Sequence, residues 1–171
     1  MDLKKIYYSL LLLALLFVAG CTDPLEDKLF EASDRHFRFE YFLGQPGPRN
    51  IPVDTATVTL GSLPETVEVP IAFSTLPFTE TSTLRFSADI SGNLLAADEV
   101  SILENGELTD YELTFAPGQY EQTLTIKLSE DIDEEGYVHL VLTESSPSSI
   151  SLGFPGPNAE RKTFTLLIEA P

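Results

Sequence analysis

Residues 113–142 read LTFAPGQYEQTLTIKLSEDIDEEGYVHLVL, which is the most informative segment of the chain. Apolar and polar residues alternate on both sides of an acidic run, in 124–128 and again in 138–142. Successive side chains of a β-strand point to opposite faces, so a period of two predicts strands with one buried and one solvated face. The acidic run at 130–135 is therefore predicted to be the turn that joins two strands.

The same alternation recurs along most of the chain after residue 35. The further segments are HFRFEYFL (36–43), VDTATVTL (53–60), TVEVPIAF (66–73), TLRFSADI (83–90), YELTF (111–115) and TFTLLI (163–168). Many short strands separated by Gly and Pro turns are typical of a two-sheet sandwich. We predict an all-β fold, a single immunoglobulin-like antiparallel β-sandwich of seven to nine strands with no helix after residue 20. An up-and-down barrel is the alternative.

Three local signals refine this prediction. Asn105-Gly106 tolerates a positive φ at both residues, which favours a type I′ hairpin between Ile102 and Leu108. Pro117-Gly118 predicts a tight turn after Phe115. Pro70 has no N–H donor, so its strand is expected at a sheet edge or at a bulge.

The N-terminus carries an export signal. It reads MDLKKIYYSLLLLALLFVAGC, with two lysines before an apolar run and a small residue before Cys21. VAGC (18–21) resembles the lipobox of bacterial lipoproteins, which implies cleavage before Cys21 and lipidation of that residue. Cys21 is the single cysteine of the chain. An ordinary signal peptide is the alternative.

These features predict three segments and a location. They are a lipoprotein signal peptide (1–20), the lipidated cysteine with an acidic tether (21–35), and the sandwich domain (36–171). We expect a lipid-anchored protein of the outer membrane that faces outward, with the inner leaflet of that membrane as the alternative. With a net charge of −17, the chain repels phosphate backbones, so nucleic acid is excluded as a partner and membrane attachment must come from the N-terminal lipid.

The C-terminal half resembles the Calx-beta family. The match consists of a strand with Leu113 and Phe115, then Pro117-Gly118, an alternating strand, the acidic turn and a further alternating strand. The whole chain also looks like uncharacterised lipoproteins of polysaccharide-utilisation clusters. The first resemblance implies a Calx-beta-like sandwich. The second implies partners in an outer-membrane uptake complex, or a glycan.

The Calx-beta resemblance also raises calcium as the one cofactor to consider. Some members bind Ca²⁺ through acidic residues of this turn together with carboxylates of neighbouring loops. Gly136 stands where a further Glu is common in the family. A solvated turn that keeps the sheet end soluble is the alternative. The implied ligands are Glu130, Asp131, Asp133, Glu134 and Glu135.

Catalytic residues are not assigned. The two histidines, His36 and His139, are expected on outward strand positions, and no known nucleophile or metalloprotease motif occurs. Six Phe residues fall on predicted core faces, namely Phe37, Phe39, Phe73, Phe86, Phe115 and Phe164, and Tyr111 shares the face of Leu113 and Phe115. Tyr120, Tyr137 and Phe154 are expected near solvent, and Tyr120 and Phe154 are the aromatics that would face a ligand. The predicted function is a non-catalytic interaction module on the cell surface, accessory to glycan uptake. A carbohydrate-binding or adhesive module, calcium-stabilised or not, is the alternative, and a hydrolase is a third.

Overall fold

The computed structural model describes residues 35–43, 52–73, 79–96, 98–154 and 160–171, without the side chains of 95 and 96. The predicted signal peptide, Cys21 and the tether up to residue 34 lie outside this part of the chain. Across the described residues, no helix combines the length and the apolar character that crossing a membrane requires.

Eleven strands and one short helix make up the described part of the chain. In chain order they are β1 (His36–Phe39), β2 (Thr55–Thr59), β3 (Thr66–Phe73), β4 (Ser82–Ile90), α1 (Gly92–Ala96), β5 (Val100–Glu104), β6 (Glu107–Leu108), β7 (Glu112–Phe115), β8 (Glu121–Leu128), β9 (Gly136–Ser146), β10 (Ser151–Leu152) and β11 (Thr163–Glu169).

The strands form two sheets packed face to face. The first sheet has the order β10-β1-β3-β8-β5-β6, and the second has the order β2-β11-β9-β4-β7. The predicted all-β sandwich is confirmed. Three details differ from the prediction. The described strands number eleven, and they include two strands of only two residues each, β6 and β10. The second difference is that β1 pairs in parallel with β10 and β2 pairs in parallel with β11. The third difference is α1, where no helix was expected.

Aromatic rings join the two sheets. Phe37 of the first sheet lies 4.7 Å from Phe115 of the second, between ring centroids, and Phe39 lies 6.0 Å from Phe164. All six Phe residues predicted on core faces are buried, which confirms that prediction: Phe37, Phe39, Phe73, Phe86, Phe115 and Phe164. Such tilted pairs contribute stability beyond the area they bury, by about 0.5–1.5 kcal/mol each.

Both predicted turns have the backbone that their sequence favours. Asn105 and Gly106 have φ values of 51° and 85° between β5 and β6, as a type I′ hairpin requires. Gly118 has a φ of 83°, and the Gln119 amide donates to the Ala116 carbonyl at 2.9 Å to close the turn. Both predictions are confirmed.

Pro70 lies in an interior strand, so the edge prediction was wrong. β3 pairs with β1 on one side and β8 on the other. The register of β1 would next place Glu40 opposite Pro70, and the Glu40 amide does donate to the Pro70 carbonyl at 2.9 Å. The proline has no N–H to return the second bond, so β1 ends at Phe39 and Pro70 lies just beyond the end of its neighbour. For the same reason the strand predicted over 36–43 is half as long.

His36 is buried, although an outward position was expected. Only 4% of the residue is exposed. The ring packs edge-on against Phe154, with centroids 5.3 Å apart, and its Nε2 atom lies 3.1 Å from Nη1 of Arg38. The short parallel pairing of β1 with β10 brings Phe154, two residues after β10, to the start of β1, where its ring packs on the histidine.

Candidate functional site

The acidic turn between β8 and β9 surrounds one buried residue. Ile132 is only 4% exposed and belongs to the hydrophobic core. The predicted calcium ligands Glu130, Asp131, Asp133, Glu134 and Glu135 are all exposed. The turn is therefore fixed by an apolar anchor, and its carboxylates are distributed around that anchor in contact with solvent.

Two carboxylates of the turn have structural partners. Asn93 of α1 donates through Nδ2 to Glu134 Oε2 at 3.2 Å and to the carbonyl of Glu135 at 2.9 Å. The Ala170 amide donates to Glu135 Oε1 at 3.0 Å. These bonds connect the turn to α1 and to the residue after β11. The side chains of Glu134 and Glu135 therefore have a structural role.

A small cavity lies beside this turn. It has a volume of about 220 Å³ and is lined by Asn93, Glu99, Asp133 and Glu134. Calcium takes six to eight oxygen ligands. Among the residues that the structure describes, no three acidic, histidine or cysteine side chains form a group that could hold a metal ion. Glu130, Asp131 and Glu135 do not line the cavity, and this arrangement does not fit Ca²⁺.

The two predicted ligand-facing aromatics lie in different surroundings. Phe154 is partly exposed, but the Arg161 guanidinium lies over its ring, 4.8 Å from the centroid, and His36 contacts it edge-on. Burial and the nearby Arg38 lower the pKa of Arg161. Tyr120 is exposed, and its described bond is through the backbone carbonyl, which accepts from the Phe73 amide. The structure describes no ring contact between Tyr120 and Phe154 that would make one aromatic platform.

A larger groove lies on the outer face of the second sheet, where β4 runs between β7 and β9. We call it the Arg85 groove. It comprises two adjoining cavities of about 450 and 320 Å³ that share Arg85, Glu112 and Glu144. The first is also lined by Phe86, Asp110, Tyr111 and Thr143, and the second by Thr83, Ser145 and Ser146. The first volume lies in the range of roughly 300–1,000 Å³ that small-molecule sites occupy.

A β-bulge lies within the groove. Arg85 pairs with Glu144 across the sheet, but its neighbour Phe86 pairs with Leu142. Thr143 is therefore the extra residue on β9. A bulge bends its strand and changes the direction of nearby side chains, and bulges are over-represented next to functional sites.

Arg85 occupies the middle of the groove. Its Nε atom donates to Glu112 Oε2 at 2.7 Å, while its Nη1 atom is 4.0 Å from Glu144, too far for a hydrogen bond. The hydrogen bond to Glu112, followed by the charges of that residue and of Glu144, raises the pKa of Arg85. The Arg85 side chain is 60% exposed. Ion pairs this exposed contribute little to stability, so the pair orients the guanidinium more than it holds the fold.

Tyr111 forms one wall of the groove in a strained conformation. Its φ of 66° lies in the left-handed region, which is rare for a bulky residue and costs about 1–3 kcal/mol. Thr109 Oγ1 accepts from the Tyr111 amide, and the Tyr111 carbonyl accepts from the Phe86 amide at 3.1 Å. The ring meets Phe86 edge to face at 5.4 Å and leaves the residue 44% exposed.

The sequence prediction missed this site. It placed Tyr111 on the core face with Leu113 and Phe115, but β7 begins one residue later. Thr109 and Asp110 are the sequence signal for a turn at this position. Side chains of these types accept a hydrogen bond from the backbone amide two residues further along the chain. Here Asp110 Oδ1 accepts from the Glu112 amide at 3.2 Å, so Tyr111 lies in a turn. The bulge at Thr143 has no comparable sequence signal.

His139 is the second histidine of the chain. It is half-buried on β9, and its Nδ1 atom lies 2.8 Å from Thr165 Oγ1. Neither residue lines the Arg85 groove or the cavity beside the acidic turn. This pair joins neighbouring strands on the outer face of the second sheet, which gives the histidine a structural role.

The chain is similar to several solved protein structures. No family model and no curated protein matches the chain. CBD12 from CALX1.2 is 18% identical with a TM-score of 0.47, over 68% of this chain and 41% of that one. The calcium binding domain CBD12 of CALX1.1 is 16% identical with a TM-score of 0.43, over 68% and 42%. The Caenorhabditis elegans protein SSP-19, an MSP-domain protein like family member, is 13% identical with a TM-score of 0.34, over 68% and 94%.

The matched region spans less than half of the two CALX chains. All three TM-scores are below 0.5, so the similarities add no argument to the sandwich that the strand pairing already defines.

Proposed function

We propose that the protein is a lipid-anchored, non-catalytic binding module on the outer surface of the outer membrane, accessory to the uptake of a glycan nutrient. Its binding site is the Arg85 groove, and its membrane attachment is the lipidated Cys21. The groove carries the proposal, because it combines a concave shape, an oriented cation and a strained aromatic at one place. Backbone strain of this kind clusters at functional sites in other proteins.

Two sequence features support the anchored location. VAGC at 18–21 resembles a lipobox, and the acidic stretch before residue 36 suits a tether between lipid and domain. Several acyl chains anchor a protein firmly where a single one binds marginally. A chain with a net charge of −17 has no electrostatic attraction to anionic lipid of its own.

The chemistry of the groove favours binding over catalysis. Arg85 carries a guanidinium, which stays protonated in proteins and cannot act as a base at neutral pH. The other polar groups that line the groove are carboxylates and the hydroxyls of Ser, Thr and Tyr. They offer donors and acceptors for recognition.

The proposal is tested by growth of the source organism on polysaccharides. Cells carrying Cys21→Ala, or the double variant Arg85→Gln/Tyr111→Ala, should grow more slowly than wild type on one polysaccharide as sole carbon source. All strains should grow equally on the monosaccharide that it contains. The Cys21→Ala protein should also leave the membrane fraction and fail to incorporate labelled palmitate. Equal growth of all strains on every polysaccharide, or a Cys21→Ala protein that stays membrane-bound, would overturn the proposal.

A further inference from the structure

The Arg85 groove has the outline of a site for an extended molecule. Its two cavities adjoin along β4, from Phe86 in the first to Thr83 in the second. The three residue steps from Thr83 to Phe86 span about 10 Å. A ligand that occupies both cavities is therefore extended along the strand, as a chain of linked units is.

The polar lining favours a ligand with many hydroxyl groups. Arg85 offers donors on its terminal nitrogens, while Glu112 and Glu144 offer acceptor oxygens. A guanidinium and a carboxylate each present two polar atoms side by side, which suits two adjacent hydroxyls of one ligand. An apolar ligand would desolvate these groups without giving them partners, at a cost of about 1–3 kcal/mol for each group.

The charge around the groove limits the ligand further. Asp110, Glu112 and Glu144 supply three carboxylates against the single cation of Arg85. The whole chain adds a net charge of −17. Anionic ligands are repelled by these carboxylates and by the surrounding field. A cationic ligand would meet the Arg85 guanidinium in the middle of the groove, so the favoured ligand is neutral.

Tyr111 supplies a contact for the less polar side of such a ligand. The face of an aromatic ring is electron-rich and attracts the weakly positive hydrogens of C–H groups. A sugar ring presents hydroxyls around its edge and C–H groups on its face. The left-handed backbone and the edge-to-face contact with Phe86 hold the Tyr111 ring in place before a ligand arrives, which lowers the entropy lost on binding.

We infer that the Arg85 groove binds a neutral oligosaccharide, with hydroxyls bonded to Arg85, Glu112 and Glu144 and one sugar face against Tyr111. This inference rests on the proposed function and names the ligand class of its site. Nothing in it requires a metal ion or a bond change, because the oligosaccharide is held and released intact.

The test is a binding assay with the full-length chain purified in detergent. The probes are neutral oligosaccharides (glucans, mannans, galactans and xylans), polygalacturonate as an anionic glycan, and oligolysine as a basic peptide. At least one neutral oligosaccharide should bind. Tyr111→Ala and Arg85→Gln should each weaken that binding by about tenfold or more, while Tyr111→Phe should stay within about threefold of wild type.

Tyr120→Ala is the matched control, because Tyr120 is a tyrosine of comparable exposure outside the groove. Circular dichroism of each variant separates lost binding from lost folding. Folded groove variants that bind as well as wild type, or a Tyr120→Ala variant that loses as much as Tyr111→Ala, would overturn the site. Binding only to polygalacturonate or to oligolysine would overturn the ligand class. A growth defect of the groove variant without binding to any neutral glycan would overturn this inference and leave the proposed function standing.

Discussion

The acidic turn at 130–135 and the Arg85 groove both concentrate carboxylates, but they are built in different ways. The turn places five exposed carboxylates around one buried residue, Ile132, and fixes two of them with amide donors. The groove places three carboxylates around a guanidinium in a concave surface formed by three strands. A high density of charge along the sequence marks solvent exposure, whereas a binding site needs a counter-charge and a cavity that the tertiary fold supplies.

The largest expected effect concerns the core beneath the groove. β7 carries Glu112 on the outer face and Phe115 on the inner face, where the ring contacts Phe37 of the other sheet. Phe115→Ala should lower the free energy of unfolding by about 3–5 kcal/mol, because it removes a buried ring that joins the sheets. Urea denaturation measures this loss.

Tyr120→Ala, at an exposed position, should change the same quantity by less than about 0.5 kcal/mol. A Phe115→Ala loss below about 1 kcal/mol would mean that β7 is not packed as described, and the groove would lose its support.

The second prediction addresses the turn. Ile132→Ala should destabilise the protein by about 2–5 kcal/mol, because Ile132 is buried in the core although its neighbours are all exposed acids. Asp131→Asn, at the exposed neighbouring position, should stay within about 0.5 kcal/mol. Thermal unfolding of the Ile132→Ala and Asp131→Asn variants measures this difference in stability. Equal stability of the two variants would show that the turn has no anchor, and would make it a flexible charged loop.

The third prediction concerns the contact between the turn and α1. A Cβ at Gly136 would clash with Ser91 Oγ and would lie 2.5 Å from Leu94 Cδ1. Gly136→Ala should therefore destabilise by about 1–3 kcal/mol through overpacking. Gly92→Ala is the control, since its Cβ would meet nothing within 4 Å. Wild-type stability of Gly136→Ala in chemical denaturation would contradict the packing of Leu94 against the turn.

Gly136 also explains one departure from the Calx-beta pattern. The resemblance expects a further Glu at this position, but Leu94 of α1 is fully buried and leaves no room for a side chain there. α1 itself was not predictable from periodicity, because five residues give little more than one helical turn. Its stability comes from the burial of Leu94 and from the bonds of Asn93 to the acidic turn, which are tertiary contacts.

The alternating strands and the two Gly turns were predictable because each depends on residues close in sequence. Phe37 and Phe115 fell on the predicted core face for this reason. The parallel pairings of β10 and β2 were not predictable, because they depend on which distant strand lies at each sheet edge. The groove was not predicted for the same reason, namely that it depends on pairing between distant strands. It requires the register of β4 against β7 and β9, and one extra residue on β9.

The fourth prediction uses pH to examine the hairpin beside the groove. Burial, followed by the charge of Asp110, raises the pKa of Glu104. Above its folded pKa, the Glu104 carboxylate is charged in both the folded and the unfolded chain. In the folded chain this charge is partly buried and lies near Asp110, which lowers the stability of the fold. As pH falls through the folded pKa, the folded chain takes up the proton first and gains relative stability. Glu104→Gln should therefore give a small increase in melting temperature at pH 7.

That increase should disappear below about pH 4, where the carboxyl is protonated in the unfolded chain as well. Glu107→Gln, at an exposed position of the same hairpin, matches the change in charge and is the control. Melting curves from about pH 3 to about pH 8 separate the two variants. A Glu104→Gln advantage that grows as pH falls would have the wrong sign and would refute the role given to burial and Asp110.

The smallest expected effect is that of calcium on the acidic turn. Five carboxylates within six residues repel one another, and dissolved salt screens this repulsion over about 8 Å at physiological ionic strength. A bound ion would act differently. It would stabilise the native chain by about 2.7 kcal/mol at a hundredfold excess over its Kd, which is several degrees of melting temperature. Since the cavity beside Asp133 lacks a described group of metal ligands, millimolar CaCl₂ should raise the melting temperature no more than NaCl of matched ionic strength. A calcium-specific rise of several degrees, abolished by Asp131→Asn/Asp133→Asn, would make the turn an ion site and reverse the contrast with the Arg85 groove.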